Sequence, residues 1–268
     1  MQTLYLLDRN IVNLIKKANK KEKVIDAKKT EKLNFLFSID NSKSVVSPIL
    51  SMIEGQKGRQ ESYGEKIEVA EKESREIEKF FSRAKTDRTT ISDTIDLFAE
   101  TFQFSQELDW DSTENFLRES TPHIAQKVAK ENLEDIKNII INIASNNKIP
   151  KSHLAVILCL SCLYGCESSR EVIKPHRKDK IYNAMNDIYV IPRINLIKAI
   201  QKSLGVKNVE IEFVTCDEGL EETMKHVEIS VLGITNDYEG IIQKVRYKKP
   251  LFPQLTKFQY FSLLKELS

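Results

Sequence analysis

The sequence predicts an α/β protein: a central parallel sheet flanked by helices, carrying a large, mostly helical insertion. Three observations lead there. Short runs of strand character lie towards both ends of the chain, the apolar Leu4 to Leu7 and the strand candidate Val209 to Val214. Asp8 follows the first run directly and Asp217 follows the second after Thr215-Cys216, the way a buried parallel strand meets the loop at its carboxyl end. Between the two runs, apolar residues recur mainly at the three- and four-residue steps of amphipathic helices.

Taken in order, Leu4-Tyr5-Leu6-Leu7 is the first strand, and Ile11, Val12, Leu14 and Ile15 follow at helical spacing. The lysine-rich stretch from Lys16 to Lys32 reads as solvent-facing. A helix-like segment, Leu33 to Phe37, leads to a second short strand at Ser44-Val45-Val46-Ser47. Pro48 suits the first turn of a helix through Ile49, Leu50, Met52 and Ile53, with Glu54 at its end before Gly55. From Glu65 to Ala84, the positions Ile67, Ala70, Ser74, Ile77, Phe81 and Ala84 form one helical face. Asp87 to Trp110 carries no clear period. Thr121-Pro122 reads as a cap and first residue of a long helix through Ile143, closed by Asn146-Asn147 and Pro150, and a further apolar helix covers His153 to Cys166. Asn195 to Ser203 is helical, Gly205 is its cap, Val209 to Val214 is a strand, Glu221 to His226 a short helix, and Ile229 to Ile234 another strand. Strand, helix, strand is the order of a parallel sheet. The expected organisation is a core from residues 1–60 and 180–240, a helical insertion at 61–179 and an extension at 241–268.

Composition bounds the function. Hydrophobic residues make up 41% and charged residues 30% of 268, which suits a globular chain. With 8 Gly and 7 Pro, long helices are expected over tight hairpins. A formal net charge of +2 gives no global field towards nucleic acid or membrane, so any polyanion site must be local. No run approaches the ~20 apolar residues of a membrane span. Asp8 and Arg9 interrupt the N-terminal apolar stretch, which argues against a signal peptide. The expectation is a cytoplasmic protein, free of membrane, with four reduced cysteines.

Ligands of open α/β sheets gather beyond the carboxyl ends of the strands. Asp8 and Asp217 lie at such ends, and Glu54 ends a helix that follows a strand. Carboxylates gathered from distant parts of a chain suit Mg²⁺ or Mn²⁺, hard cations that use one or two carboxylates plus water and substrate phosphate. Such a metal supports phosphodiester hydrolysis by activating water and neutralising charge on phosphate. Each acid also has a plainer reading: Asp8 as a helix cap, Glu54 as a solvated helix-end residue, Asp217 as a turn residue before Gly219.

These residues resemble the pattern of PIN-domain nucleases. Leu6-Leu7-Asp8-Arg9-Asn10 is similar to that family's opening strand and Asp-x-Asn motif, Ser47 to Gly55 to its second motif, and Val214 to Leu220 to its Thr-x-Asp motif. The resemblance covers roughly residues 1–60 and 180–235, and it implies a PIN-like sheet with a Mg²⁺- or Mn²⁺-dependent ribonuclease activity. It implies Asp8, Glu54, Asp187 and Asp217 as catalytic metal ligands, with Asn10 and Thr215 beside the nucleic acid. The third acid departs from the pattern, because Asn195 stands where the family places an aspartate, and Asp187 is the nearest acid. The resemblance further implies a toxin or antiviral-defence effector acting on RNA or another single-stranded nucleic acid, with an inhibitory or activating protein partner. Homo-oligomers are compatible with it.

Basic residues cluster locally. Lys57 and Arg59 follow Glu54 among two glycines whose amides leave room for phosphate, and are read as nucleic-acid-binding. Lys174, His176, Arg177, Lys178 and Lys180 precede Asp187, and Lys244, Arg246, Lys248 and Lys249 interleave with Tyr247. Cys159, Cys162 and Cys166 have ligand-like spacing but sit in an apolar helix, where Cys acts as a small hydrophobe. Two other readings stand beside the nuclease: a degenerate, non-catalytic PIN-like interaction protein, which Asn195 favours, and a metal-dependent phosphohydrolase of small molecules.

Overall fold

The computed structural model describes residues 1–55, 61–87, 109–203, 205–234 and 241–268. It divides the chain into two compact units, residues 1–103 with 196–216, and residues 104–195 with 217–268.

The first unit is built on a four-stranded parallel sheet in the order β3-β2-β1-β4, with β1 at Gln2–Leu7, β2 at Ser44–Ser47, β3 at Lys85–Thr86 and β4 at Val209–Val214. β1 runs beside β2 from Thr3↔Ser44 to Leu6↔Ser47, and beside β4 from Gln2↔Val209 to Leu7↔Val214. The two strand segments from opposite ends of the sequence are therefore adjacent, and the expected parallel sheet is present. The amide of Asp8 extends the ladder by donating to the Val214 carbonyl at 3.0 Å.

Among the described residues this unit holds α1 at Arg9–Asn19, α2 at Ala27–Ser38, α3 at Ile49–Glu54 and α4 at Tyr63–Phe80. Asp8 caps α1, and Ile11, Val12, Leu14 and Ile15 turn inwards with Leu7, Leu36, Val46, Ile77, Phe81 and Val214 to form one core. Each fully buried Leu or Ile contributes roughly 1.5–3 kcal/mol. The α4 start carries a reciprocal capping box between Ser62 and Glu65. Where α4 ends, Asp40 gathers the chain: its carboxylate accepts from the amides of Ser82, Arg83 and Ala84 at 3.1, 2.7 and 2.8 Å and from the Ser82 hydroxyl at 2.8 Å. That turn delivers Lys85 and Thr86 to the edge of β2. The helix expected to reach Ala84 thus stops at Phe80, and the sheet unit extends past residue 60 because α4 and β3 pack within it.

The second unit is mainly helical: α5 at Trp110–Ser120, α6 at Leu133–Asn146, α7 at Leu154–Leu163, α8 at Glu167–Ile173, α10 at Glu218–Lys225 and α11 at Lys257–Leu267, with α9 at Ile181–Ser203 crossing the unit boundary. α7 is buried on every side, which is why its sequence is almost wholly apolar. Thr121 does not open a long helix. It continues α5 into a single 3-10 turn, and the next α-helix starts at Leu133. α9 begins at Ile181, well before Asn195, and carries Pro192 inside it. The strand expected at Ile229 to Ile234 is β5, Val227–Ile234, but it does not join the parallel sheet. It pairs antiparallel with β6, Ile241–Tyr247, the next strand along the chain, a local pairing with little loop-closure cost. Residues 241–247, the start of the expected C-terminal extension, are thereby strand. No helix among the described residues is long and apolar enough to cross a membrane.

Candidate functional site

The carboxyl ends of the four parallel strands present, in sheet order, Asp87 after β3, Ser47 at the end of β2, Asp8 after β1 and Thr215 after β4. All four belong to the first unit.

Asp8 is buried and tightly held. Its Oδ1 accepts from the Arg9 amide at 2.8 Å, and its Oδ2 accepts from Asn10 Nδ2 at 2.5 Å and from the Thr215 hydroxyl at 2.6 Å. Asn10 Nδ2 also reaches Thr215 Oγ1 at 3.0 Å, and Asn10 Oδ1 accepts from the Cys216 amide at 2.8 Å. The Asp-x-Asn spacing therefore has a mechanical reason. The aspartate caps its helix and the asparagine, two residues on, clamps the exit of the neighbouring strand.

Asp87 is an acid that the sequence reading did not single out. A two-residue strand has no period, and nothing around Lys85-Thr86-Asp87 marks it as a strand end. Burial pushes its carboxyl up to about 7, against the opposing pull of the Ser47 hydroxyl, which hydrogen-bonds to it. Its Oδ1 is buried and has no hydrogen-bond partner among the described residues. Ser47 Oγ in turn accepts from the Ile49 amide at 3.2 Å and so ties the strand end to the start of α3.

Glu54, at the end of α3, pairs with Arg9 at 3.4 Å. Gly55 then turns with φ 76°, and a Cβ placed there would lie 2.8 Å from the carboxyl carbon of Glu61, which is itself buried. Glycine is needed on both counts, conformation and room. Lys57 and Arg59 lie outside the described residues.

Asp187 and Asp217 belong to the second unit. Asp217 caps α10, its Oδ1 accepting from the Leu220 amide at 2.9 Å. Lys174, in the left-handed conformation (φ 51°) after α8, sends its ammonium to Asp187 at 2.6 Å and to Asp217 at 3.7 Å. Burial alone would lower the Lys174 pKa, and the two carboxylates outweigh it and raise it. The cation that these two acids share here is an ammonium. Asn195 sits within α9 and bonds back to the Ile191 carbonyl at 2.8 Å, so it opens no helix.

Cys159, Cys162 and Cys166 are buried free thiols, and burial pushes Cys159 up to about 12. Among the described residues, no group of three or more His, Cys, Asp or Glu stands in an arrangement that could hold a metal ion. What the first unit offers is a row of oxygen donors along the sheet edge, Asp87, Ser47, Asp8 and Thr215, with Glu54 on the helix that follows β2. That is the chemistry hard divalent cations accept. In comparisons with protein-family models, curated proteins and solved structures, the chain has no significant match.

Proposed function

We propose that the carboxyl edge of the parallel sheet is a divalent-metal site for phosphodiester hydrolysis, with RNA as substrate. The observation that carries this reading is the alignment of Asp8, Ser47 and Asp87 at the ends of three adjacent parallel strands, with Asp87 Oδ1 buried and unpartnered. Neighbouring strands lie about 4.8 Å apart, so β1 and β3 are separated by roughly 10 Å, a gap that two aspartate side chains and a hydrated ion span.

In this reading Asp8 and Asp87 would hold Mg²⁺ or Mn²⁺, with Glu54, at the end of the helix that follows β2, as a further acid. A bound metal would supply a water of lowered pKa and neutralise charge on the phosphate. The chain's own residues do the rest. Asn10 and Thr215 fix the carboxylate of Asp8, so it does not reorganise as charge develops. Ser47 orients Asp87, whose unpartnered Oδ1 is placed to accept a proton. The site is PIN-like in the order of its motifs, with Asp87 in place of Asp187 as the third acid.

A second reading has its own observation. Asp8 is engaged by three donors, and no three-residue metal group is formed among the described residues. A non-catalytic interaction protein would look the same. Manganese titration by calorimetry, run with cleavage of a labelled single-stranded RNA, separates the two. The metal reading expects Mn²⁺ binding and Mn²⁺-dependent cleavage, both lost in Asp8→Asn and in Asp87→Asn with the fold retained. Wild-type protein indifferent to Mn²⁺ and Mg²⁺ would leave the interaction protein standing.

A further inference from the structure

The lysine-rich stretch from Lys16 to Lys32, which runs from α1 into α2, has no role in the site as described, yet part of it lies towards that site. On α2, positions 29, 32, 33 and 36 fall on one helical stripe. Leu36 is fully buried and Leu33 packs on the core that includes Ile11 and Val214, with Cys216 packed against the same core. Lys29 and Lys32 continue this stripe towards the start of the helix. Lys29 is exposed and Lys32 half-buried, as expected of side chains at the rim of a packed seam.

α2 closes at Ser38, beside the Asp40 turn that leads to the start of β3, so its first turn lies towards the carboxyl ends of the strands. There Cys216, immediately after Thr215, packs on the same core as Leu33. Asp26 is committed to capping α2 through the Lys29 amide at 3.0 Å. The Cys216 amide is bonded to Asn10, and Asn10 to Asp8. Two ammonium groups thus flank the carboxylate edge on the β4 side of the sheet.

We propose that Lys29 and Lys32 are the phosphate-binding flank of this edge, receiving the backbone of a nucleic-acid strand beside the phosphodiester that is hydrolysed. The inference rests on the metal-hydrolase reading for its substrate, but its physical content is separate: two cations spaced one helical turn apart, next to a carboxylate row that would otherwise repel a polyanion. Without them a strand approaching Asp8 and Asp87 meets two carboxyl groups, with Arg9 already paired to Glu54. With them, the phosphate on the β4 side is neutralised before the scissile one reaches the acids. Contacts of this kind carry no sequence information and release counterions on binding.

The test is the salt dependence of binding a short fluorescein-labelled single-stranded RNA, measured by anisotropy in EDTA so that no cleavage intervenes. Lys29→Gln/Lys32→Gln should reduce the magnitude of the log K against log salt slope by about 1.4, at about 0.7 per lost single-strand phosphate contact. Lys29→Arg/Lys32→Arg should restore it. A control removing equal charge from α4, Lys72→Gln/Lys79→Gln, should leave the slope unchanged. If the double variant does not fold, Lys29→Gln alone, at an exposed position, should lose about 0.7 of slope. An unchanged slope in the Lys29 and Lys32 variants, an equal loss in the α4 control, or no salt-dependent RNA binding by the wild type would each overturn the proposal. Lost slope without any Mn²⁺-dependent cleavage by the wild type would uphold the flank and sink the catalytic reading. Cleavage with an unchanged slope would do the reverse.

Discussion

The Thr215 hydroxyl donates to Asp8 Oδ2 at 2.6 Å across a sequence separation of 207 residues, and this bond joins the first strand of the sheet to the last. Both partners are buried, so losing either leaves the other short of a hydrogen bond that water does not readily replace. Thr215→Val keeps the shape and removes the donor. We expect a loss of about 1–3 kcal/mol in urea unfolding. Asn10→Ala removes the second donor to the same oxygen and the acceptor for the Cys216 amide. The double variant should cost less than the sum of the two, because they share one network. Full additivity would show that the bonds act independently.

Gly55→Ala should destabilise the first unit by about 1–3 kcal/mol, since alanine is strained at φ 76° and its Cβ would meet the Glu61 carboxyl carbon at 2.8 Å. Shortening the obstructing side chain isolates the second cause. Gly55→Ala/Glu61→Ala should recover the steric part and leave the conformational part. Recovery of the whole loss would show that φ carries no cost here.

Asp40 offers a pH test. Burial tends to raise its carboxyl, but the amides of Ala84 and Arg83 and the Ser82 donors outweigh it and hold it below the usual carboxylate range. A folded pKa lower than the unfolded one contributes stability that is present above the unfolded value of about 3.9 and lost as pH falls through the folded value. Asp40→Ala should therefore be less stable than wild type by about 1–2 kcal/mol at neutral pH, a figure kept small because the group is partly solvated. The gap should narrow as the melting series is carried below pH 4. A gap of constant size across the series would mean that the turn does not depend on the charge.

Legibility of the sequence followed the length and burial of each element. Leu4 to Leu7 is legible as an apolar run that stops at Asp8, and Val209 to Val214 as an alternation of apolar and acidic residues, the pattern of a half-buried strand at the end of the sheet order. Asp8 and Thr215 came with them. Asp87 did not, because β3 is two residues long and is placed by Asp40, forty-odd positions earlier in the chain, and not by its own side chains. Ile229 to Ile234 shows its strand type in the sequence but not its partner, and Ile241 to Tyr247 carries no strand expectation, so the antiparallel pair of β5 with β6 is not legible. Asp187 and Asp217 looked like metal ligands for a related reason: nothing local to either acid reveals that Lys174 reaches both.

Lys174 should therefore matter to the fold of the second unit. Lys174→Met would leave Asp187 and Asp217 without their shared ammonium, and breaking a largely buried pair by removing one partner costs about 3–5 kcal/mol. The figure here should fall at or below the low end, since all three side chains keep some exposure. Lys174→Met/Asp187→Asn should recover part of the loss by removing the stranded charge. If the single variant melts like wild type, the triad is a surface arrangement of no energetic weight.

The final prediction concerns Asp87 and has the opposite sign to that for Asp40. Burial raises its carboxyl to about 7 in the folded protein, whereas the unfolded chain titrates at about 3.9. The folded state therefore holds a proton that the unfolded state has already released. Stability associated with this group is complete below about pH 4, declines as pH rises towards the folded value, and is at its lowest above about 7. Asp87→Asn, which cannot ionise and keeps the volume, should match wild type near pH 4 and exceed it at pH 8 by up to roughly 4 kcal/mol, measured in EDTA by thermal or urea unfolding. Mn²⁺ added at pH 8 should reverse the ranking if the sheet edge holds metal, because only the wild type then gains the binding energy of the ion. A variant no more stable than wild type at pH 8 would show that Asp87 is ionised and compensated by a group in solution. A variant that stays the more stable of the two in saturating Mn²⁺ would remove Asp87 from the metal site.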